Sequence, residues 1–226
     1  MARVLLGLLV ACAGPGLLAQ DSAADRSAQA ALQKLAARMR EIRTLSASVT
    51  QSRRTDLLDK PIVSSGTMAY RRDPPVLAFH LTEPRKADIL LDKTSYQVFR
   101  PEEKRLERVE FEGEDVTARI LMVFEPKLDE IGKTFTVHGG EARDGLIDVQ
   151  LDSSDERFRK RLKKIVLTLA EADGGLRRIV YTDAEGDEVR FDLSQVVLNP
   201  ELPADTFLLR TPEGTRVLRR TVKQDK

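Results

Sequence analysis

Side chains suited to covalent or metal chemistry are scarce in this 226-residue sequence. Cys12 is the only cysteine, and His80 and His138 are the only histidines. His80 stands between two apolar residues of a predicted strand, and His138 ends another predicted strand before Gly139-Gly140. Neither a Gly-x-Ser-x-Gly elbow nor a His-Glu-x-x-His pair occurs. The sequence therefore predicts no catalytic residue, no metal site and no cofactor.

Two segments imitate ligand-binding motifs. Gly132-Lys133-Thr134 matches the end of a phosphate-binding loop, but Lys127 stands where that motif needs its first glycine. Residues 183–188 are acidic, yet they have the character of a hairpin turn and lack the spacing of a calcium loop. A hydrolase using two of the 36 carboxylates is the enzymatic alternative. The missing nucleophile and metal ligands argue against it.

A basic run occupies residues 157–164, where six of eight side chains are Arg or Lys. Such a run is typical of a solvated loop before a strand. It is also suited to docking an acidic partner or anionic lipid headgroups, at ~1 kcal/mol per basic residue near a charged surface. Both interpretations stay open at this point.

The overall charge balance bears on possible partners. Removing an N-terminal leader that contains Arg3 leaves 36 basic and 36 acidic residues, since 37 − 1 = 36. A general nucleic-acid binder shows a basic excess, so we expect no nucleic-acid partner. Aromatic residues make up 5% of the chain and charged residues 32%, which indicates a globular protein with a highly charged exterior.

The N-terminus predicts export. Residues 4–13 form an apolar run too short to span a bilayer, and a polar residue follows Leu17-Leu18-Ala19. We interpret residues 1–19 as a signal peptide cut after Ala19, so that the mature chain starts at Gln20, is soluble and lies in the periplasm. The alternative is that Leu9-Val10-Ala11-Cys12 directs acylation of Cys12, which would give a membrane-tethered protein.

Behind the leader, the pattern predicts a helix over residues 22–43, with Ser22 and Asp25 as its cap. A second helix is predicted over residues 115–124, and a short helical turn over 128–132. The first helix has one apolar stripe at steps of three and four: Ala28, Leu32, Leu35, Met39 and Ile42. Both longer helices are candidate covers for an apolar sheet face.

The rest of the chain alternates with period two and predicts about ten short strands. These strands cover residues 45–54, 62–72, 77–81, 89–91, 96–98, 106–111, 135–138, 146–151, 165–169, 176–182 and 189–198. Without regular βαβ alternation they favour one large, strongly curved antiparallel sheet in a mainly β (α+β) fold. We expect residues 20–226 to form a single domain.

The segment from Gly66 to Pro101 is the richest in pattern. Its strands place apolar residues on one face, and that face meets either a core or an apolar ligand. Together with the helix at 115–124, it supplies the candidate cavity residues: Leu77, Phe79, Leu81, Ile89, Leu91, Tyr96, Val98, Ile120 and Phe124. A one-residue slip in register would turn every strand residue of this set to the other face.

This segment also resembles a known family. A Gly66 strand runs into Arg71-Arg72-Asp73-Pro74, an aromatic strand follows at Phe79-His80-Leu81, and Pro84 precedes Ile89-Leu90-Leu91-Asp92 and a stretch ending at Pro101. In this order and spacing the residues resemble the periplasmic carriers of outer-membrane lipoproteins (LolA-like).

The resemblance implies an incomplete barrel of about ten strands, with helices as a lid over an apolar cavity. It implies a monomeric, non-enzymatic carrier of lipoprotein acyl chains. Its partners would be an inner-membrane lipoprotein-releasing ABC transporter complex as donor and an outer-membrane lipoprotein receptor as acceptor. A related module with another lipid cargo, a lipoprotein-sensing regulator, and a receptor of similar fold acylated at Cys12 are the alternatives.

The resemblance also singles out Arg72. The family places an arginine directly before the proline of this turn, where it bonds to the lid, whereas here Asp73 takes that position and Arg72 is shifted by one. A β-bulge before the proline would turn Arg72 to the face that the family's arginine occupies. We expect Arg72 to hold the lid closed; the alternative is a solvent-facing turn arginine.

Overall fold

The computed structural model describes residues 22–112, 135–140, 142–154, 156–159 and 162–223. Within these ranges two helices, α1 (Ala23–Glu41) and the short α2 (Glu156–Arg159), and a 3-10 turn at Pro101–Glu103 accompany the strands. The strands are β1 (Thr44–Arg54), β2 (Ile62–Arg71), β3 (Val76–Glu83), β4 (Ala87–Asp92), β5 (Ser95–Arg100), β6 (Arg105–Glu112), β7 (Phe135–Gly139), β8 (Leu146–Ser153), β9 (Leu162–Ala170), β10 (Leu176–Asp183), β11 (Glu188–Leu198) and β12 (Arg216–Lys223).

All twelve strands belong to one sheet, in the order β12-β6-β5-β4-β3-β2-β1-β11-β10-β9-β8-β7. Neighbours are antiparallel except β12 and β6, which are parallel. Within the described ranges the sheet does not close, because β12 and β7 stand at the two ends of the strand order. The predicted mainly β fold with an incomplete barrel is confirmed, and β1 to β11 correspond to the predicted strands. The sequence pattern did not reveal β12, the twelfth strand of this sheet.

Helix α1 is built as its sequence predicts. The Ser22 hydroxyl accepts from the Asp25 backbone N–H (3.0 Å) and the Asp25 carboxylate accepts from the Ser22 backbone N–H (3.2 Å), which completes a capping box. Its apolar stripe is buried in the main core together with residues of the sheet. The helix packs against β7, β8 and β9. In the described part of the chain, no helix is both long enough and apolar enough to cross a membrane.

Contacts along α1 place the helix across one end of the strands, the end at which β1 begins. The backbone N–H of Gly139, the last residue of β7, donates to the Asp25 carboxylate (2.9 Å). A Cβ at Gly139 would lie 1.9 Å from the Ala24 carbonyl oxygen, and a Cβ at Gly174, in the β9–β10 turn, would lie 2.4 Å from the Leu35 nitrogen. Glycine at both positions lets the helix backbone touch the sheet.

A long connection from β11 to β12 covers part of the outer face of the sheet. It consists of residues 199–215 and links β11, in the middle of the sheet, to β12 at its edge. The guanidinium of Arg71 lies 4.7 Å from the centre of the Phe207 ring, on the face opposite Tyr70. Val76 and Phe99 are buried there although they point away from the inner face.

The predicted helix at 115–124, the predicted turn at 128–132 and the leader at 1–19 lie outside the described residues.

Candidate functional site

The strand register gathers the described members of the candidate cavity set on one face. Directly paired residues of neighbouring strands share a face. Leu77 pairs with Leu91 and Phe79 with Ile89, while Leu81 pairs with Ala87. The same rows continue into β5, where Leu91 pairs with Tyr96 and Ile89 with Val98. Seven side chains therefore face the side that carries the core beneath α1: Leu77, Phe79, Leu81, Ile89, Leu91, Tyr96 and Val98.

Burial of these side chains is graded. Leu77, Leu81, Leu91 and Val98 are buried, and their burial stabilises the fold whether or not a ligand binds. Phe79 and Ile89 are half-buried, and Tyr96 is 38% exposed. The accessible apolar part of this face therefore centres on Phe79, Ile89 and Tyr96. The other two members of the set, Ile120 and Phe124, lie outside the described residues. That these residues line a ligand cavity stays a prediction.

The opposite wall of this face comes from β10 and β11. The rings of Phe79 and Phe191 lie 5.8 Å apart, centre to centre. Three strand-to-strand steps separate β3 from β11 in the sheet order, or about 14 Å across a flat sheet at ~4.8 Å a step. The short distance shows that the sheet curves strongly, so this apolar face is concave.

Tyr181 extends the aromatic wall, with its ring 6.4 Å from that of Phe191. Burial raises the pKa of the Tyr181 hydroxyl to about 12, and the charge of an ionised Tyr96 adds to the shift. Partial burial of the Tyr96 side chain also raises the pKa of its hydroxyl. Tyr96 lies on β5 and Tyr181 on β10. Phe191 and Tyr181 were not in the predicted set, although the sequence predicted their strands at 189–198 and 176–182.

Charged side chains form the border of the concave face where β5 meets β6. Arg100 pairs with Glu107 (3.0 Å), and Arg105 pairs with both Glu103 (2.8 Å) and Glu107 (3.0 Å). Glu107 is the cross-strand partner of Val98, so the apolar row of the inner face ends in ion pairs. This boundary separates an apolar interior from a polar edge.

The histidines take no part in this face. His80 lies on the outer side of β3 and pairs with Asp88, and His138 Nε2 lies 3.5 Å from the Asp152 carboxylate. Within the described ranges, no group of three or more His, Cys, Asp or Glu residues is placed to hold a metal ion.

Arg72 contacts α1. Its guanidinium donates to the carbonyl oxygen of Arg40, in the last turn of the helix (2.6 Å), and its backbone N–H donates to the Arg43 carbonyl oxygen (2.9 Å). A cation at a helix C-terminus also interacts favourably with the helix dipole. Arg72 is thus joined to one of the two helices expected to cover the concave face. Its role in holding a lid closed stays a prediction.

The basic run at 157–164 is described only in part. The guanidinium of Arg159, in α2, donates to the carbonyl oxygens of Ser153 (3.0 Å) and Ser154 (3.3 Å). Lys163 and Lys164 are exposed at the start of β9. At least one of the six charges is therefore used in anchoring α2 to the end of β8.

The structure is an open sheet curved around an apolar face, with a helix packed across one end of its strands. Comparison with known families assigns this fold. The family model described as "Outer membrane lipoprotein carrier protein LolA" matches residues 40–210. The chain belongs to this family.

Two curated relatives carry the same description. An outer-membrane lipoprotein carrier protein of Dechloromonas aromatica is 26% identical over 182 residues, which is 80% of this chain and 83% of the relative. Another, from Cupriavidus pinatubonensis, is 22% identical over 158 residues, 69% of this chain and 70% of the relative. The fold is also similar to the crystal structure of an uncharacterized conserved protein from Thermus thermophilus. Identity there is 12%, the TM-score is 0.51, and the match covers 86% of this chain and 99% of that one.

Proposed function

We propose that this protein is a periplasmic carrier that holds the acyl chains of lipoproteins against its concave apolar face. The observation that carries the proposal is the facing of Phe79 and Phe191 at 5.8 Å, with half-buried Ile89 beside Phe79. Transferring one CH₂ from an apolar site to water costs ~0.8 kcal/mol, so a lipid anchor needs shelter to cross an aqueous compartment. The concave face offers that shelter without a chemical step.

Membership of the family and the leader sequence support a direction of transport from the inner to the outer membrane. Residues 1–19 export the chain, an inner-membrane ABC transporter complex releases the lipoprotein to it, and an outer-membrane receptor accepts the cargo. Release has to remain possible, so the carrier binds its cargo loosely and a receptor with a better cavity takes it. No bond is made or broken in this scheme, so the protein acts as a carrier and not as an enzyme.

Probe binding tests the proposal most directly. The purified protein is titrated with a fluorescent fatty acid, and palmitate is then added as competitor. We expect saturable binding and displacement by palmitate, because the acyl chain occupies the concave face. A folded sample that binds neither the probe nor palmitate would argue decisively against a carrier.

The cargo and the N-terminus are tested together by intact-mass spectrometry of protein secreted by its native host. We expect a mature mass that begins at Gln20 and, under native conditions, adducts with the mass of acylated peptides or lipids. A mass showing a diacylated Cys12 would contradict the periplasmic carrier and favour a membrane-tethered receptor. A glycolipid adduct would show that the cargo is a glycolipid and not a lipoprotein.

A further inference from the structure

Strand β12 (Arg216–Lys223) forms one open edge of the twelve-stranded sheet. It pairs with β6 along its full length, from Arg216 opposite Arg105 to Lys223 opposite Glu112. Within the described residues no strand pairs with its other side. About half of its backbone N–H and C=O groups therefore point outward, in the geometry that accepts a further strand.

Among the described side chains, the arginines of β12 lack carboxylate partners, in contrast to those of the strand beside it. On β6, Arg105 pairs with Glu103 and Glu107, and Arg108 pairs with Glu110 (2.9 Å). On β12, by comparison, the side chains of three exposed arginines have no carboxylate partner among the described residues: Arg216, Arg219 and Arg220. The carboxylates of β6 that are nearest in register are already used.

These arginines lie on both faces of the sheet. Arg220 pairs in register with Val109, on the inner face, while Arg219 pairs with Arg108, on the outer face. Val217 and Leu218 also lie on opposite faces and are 44% and 37% exposed. A flat anionic membrane would reach only one of these faces. A strand added in the plane of the sheet would run between the two, with its own side chains alternating beside them.

We propose that β12 is a docking edge for an extended acidic segment of a partner protein, which adds to the sheet as a thirteenth strand. Main-chain hydrogen bonds supply the affinity of such an edge, and alternating side chains supply its specificity. Acidic residues of the added strand meet Arg219 on one face and Arg216 and Arg220 on the other. The same arginines oppose pairing between two β12 edges, because like charges face each other.

Fluorescence anisotropy with labelled peptides tests this proposal. The probe is a peptide of about ten residues in which Glu and Val alternate, suited to the face periodicity of a strand. One control replaces every Glu with Lys, and the other keeps Glu but carries N-methyl groups on alternate amides, which removes the donors that face β12. We expect the acidic peptide to bind and both controls to bind at least roughly tenfold more weakly. Equal binding of the N-methylated peptide would overturn strand addition.

Charge-reversal variants of the protein locate the edge. Arg219→Glu and Arg220→Glu change one arginine on each face, and each should weaken acidic-peptide binding roughly fivefold, the upper end for one exposed charge pair. Arg177→Glu is the matched control, because Arg177 is an exposed arginine of the interior strand β10. Its affinity should equal that of the unmodified protein. Unchanged binding by both β12 variants would overturn the proposal.

Two further measurements separate the possible occupants. Peptide binding should slow amide hydrogen exchange in residues 216–223, because outward N–H groups gain acceptors. Unchanged exchange there while the peptide is bound would contradict the assigned edge.

Vesicles containing phosphatidylglycerol serve as the membrane probe. Vesicle binding that depends on Arg219 and Arg220, without peptide binding, would replace the protein partner with an anionic lipid surface and overturn the proposal.

Discussion

Ile89 and Leu90 are consecutive residues of β4, of equal size and both half-buried, yet they face opposite sides of the sheet. Ile89 pairs with Phe79 on the concave side, whereas Leu90 pairs with Ala78 on the outer side. The two residues thus form an internal control. A substitution at either position disturbs the same strand, but only one changes the concave face.

We expect Ile89→Asp to weaken binding of a fluorescent fatty acid at least roughly tenfold, because a carboxylate in an apolar site has to stay solvated or become protonated. Leu90→Asp should leave the affinity within about twofold of the original, since its charge reaches the other face. Thermal unfolding of both variants shows whether they remain folded at the assay temperature. Equal loss of affinity in two folded variants would contradict the assigned face.

Tyr181 offers a spectroscopic test of the aromatic wall. Burial, with a contribution from Tyr96, raises the pKa of its hydroxyl to about 12, from the usual value of 10.0. The unfolded chain ionises first as the pH rises, so this contribution to folding stability is complete below pH 10 and is lost as the pH passes through about 12. Phenolate absorbance of the folded protein should show late titration, since the pKa of Tyr96 is raised as well, and Tyr181→Phe should remove the component that titrates at about 12. A Tyr181 that titrates near its usual value would contradict burial of this ring.

The sequence predicted the strands and their faces well because alternation is a local property. Every predicted strand is present, and the register puts Leu77, Phe79 and Leu81 on one face as the alternation indicates. The approach of Phe191 to Phe79 was not predictable, since it depends on how strongly the sheet curves. Curvature comes from the summed twist of many strands and leaves no mark at a single residue.

Strand β12 was missed for a different reason. Its sequence, Arg-Val-Leu-Arg-Arg-Thr-Val-Lys, does not alternate, because it lies at an edge where both faces are solvated. Its partner, β6, lies more than a hundred residues earlier in the chain and runs parallel to it. Parallel partners are never joined by a tight turn, so no turn signal marks this pairing in the sequence.

The contact between α1 and β7 should depend on pH through Asp25. Hydrogen bonds from the Gly139 backbone N–H and then from Ser22 hold the pKa of this carboxyl below its usual 3.8. A carboxyl with a lowered folded-state pKa adds stability above its unfolded pKa, and that stability is lost as the pH falls through the folded value. The asparagine of the Asp25→Asn variant cannot titrate. As the pH is lowered from about 5, the free energy of unfolding of this variant should therefore fall less than that of the unmodified protein. Identical pH dependence of the variant and the unmodified protein would contradict this role.

Gly174 and Gly145 form a matched pair for testing how closely α1 packs against the β9–β10 turn. Both have positive φ, 66° and 71°, so alanine introduces similar backbone strain at each. A Cβ at Gly145 meets nothing within 4 Å, whereas one at Gly174 lies 2.4 Å from the backbone nitrogen of Leu35. We expect Gly145→Ala to lower the free energy of unfolding by ~1–2 kcal/mol. Gly174→Ala should cost ~1–3 kcal/mol more, from overpacking against the helix. Denaturant unfolding measures both, and equal losses would contradict the close contact.

Arg72 and Arg71 are neighbouring arginines with separate contacts. Arg72 donates to the Arg40 carbonyl oxygen in α1 (2.6 Å), whereas Arg71 stacks on Phe207 at 4.7 Å, on the outer face. Replacing either with leucine removes one positive charge from the same turn. Only the Arg72 substitution removes a contact with a helix expected to cover the concave face.

We expect Arg72→Leu to lower the free energy of unfolding by ~1.5–3 kcal/mol, the usual effect of losing a hydrogen bond from a charged donor. If α1 or its junction acts as a lid, the bound fatty acid should also leave faster from this variant in stopped-flow displacement. Arg71→Leu should lower stability through loss of its ring contact while the release rate stays unchanged. A separate effect of Arg72 on release would distinguish a lid contact from general destabilisation. If probe affinity, release rate and cargo transfer are all unchanged in Arg72→Leu, then Arg72 is a structural turn arginine and the lid role is wrong.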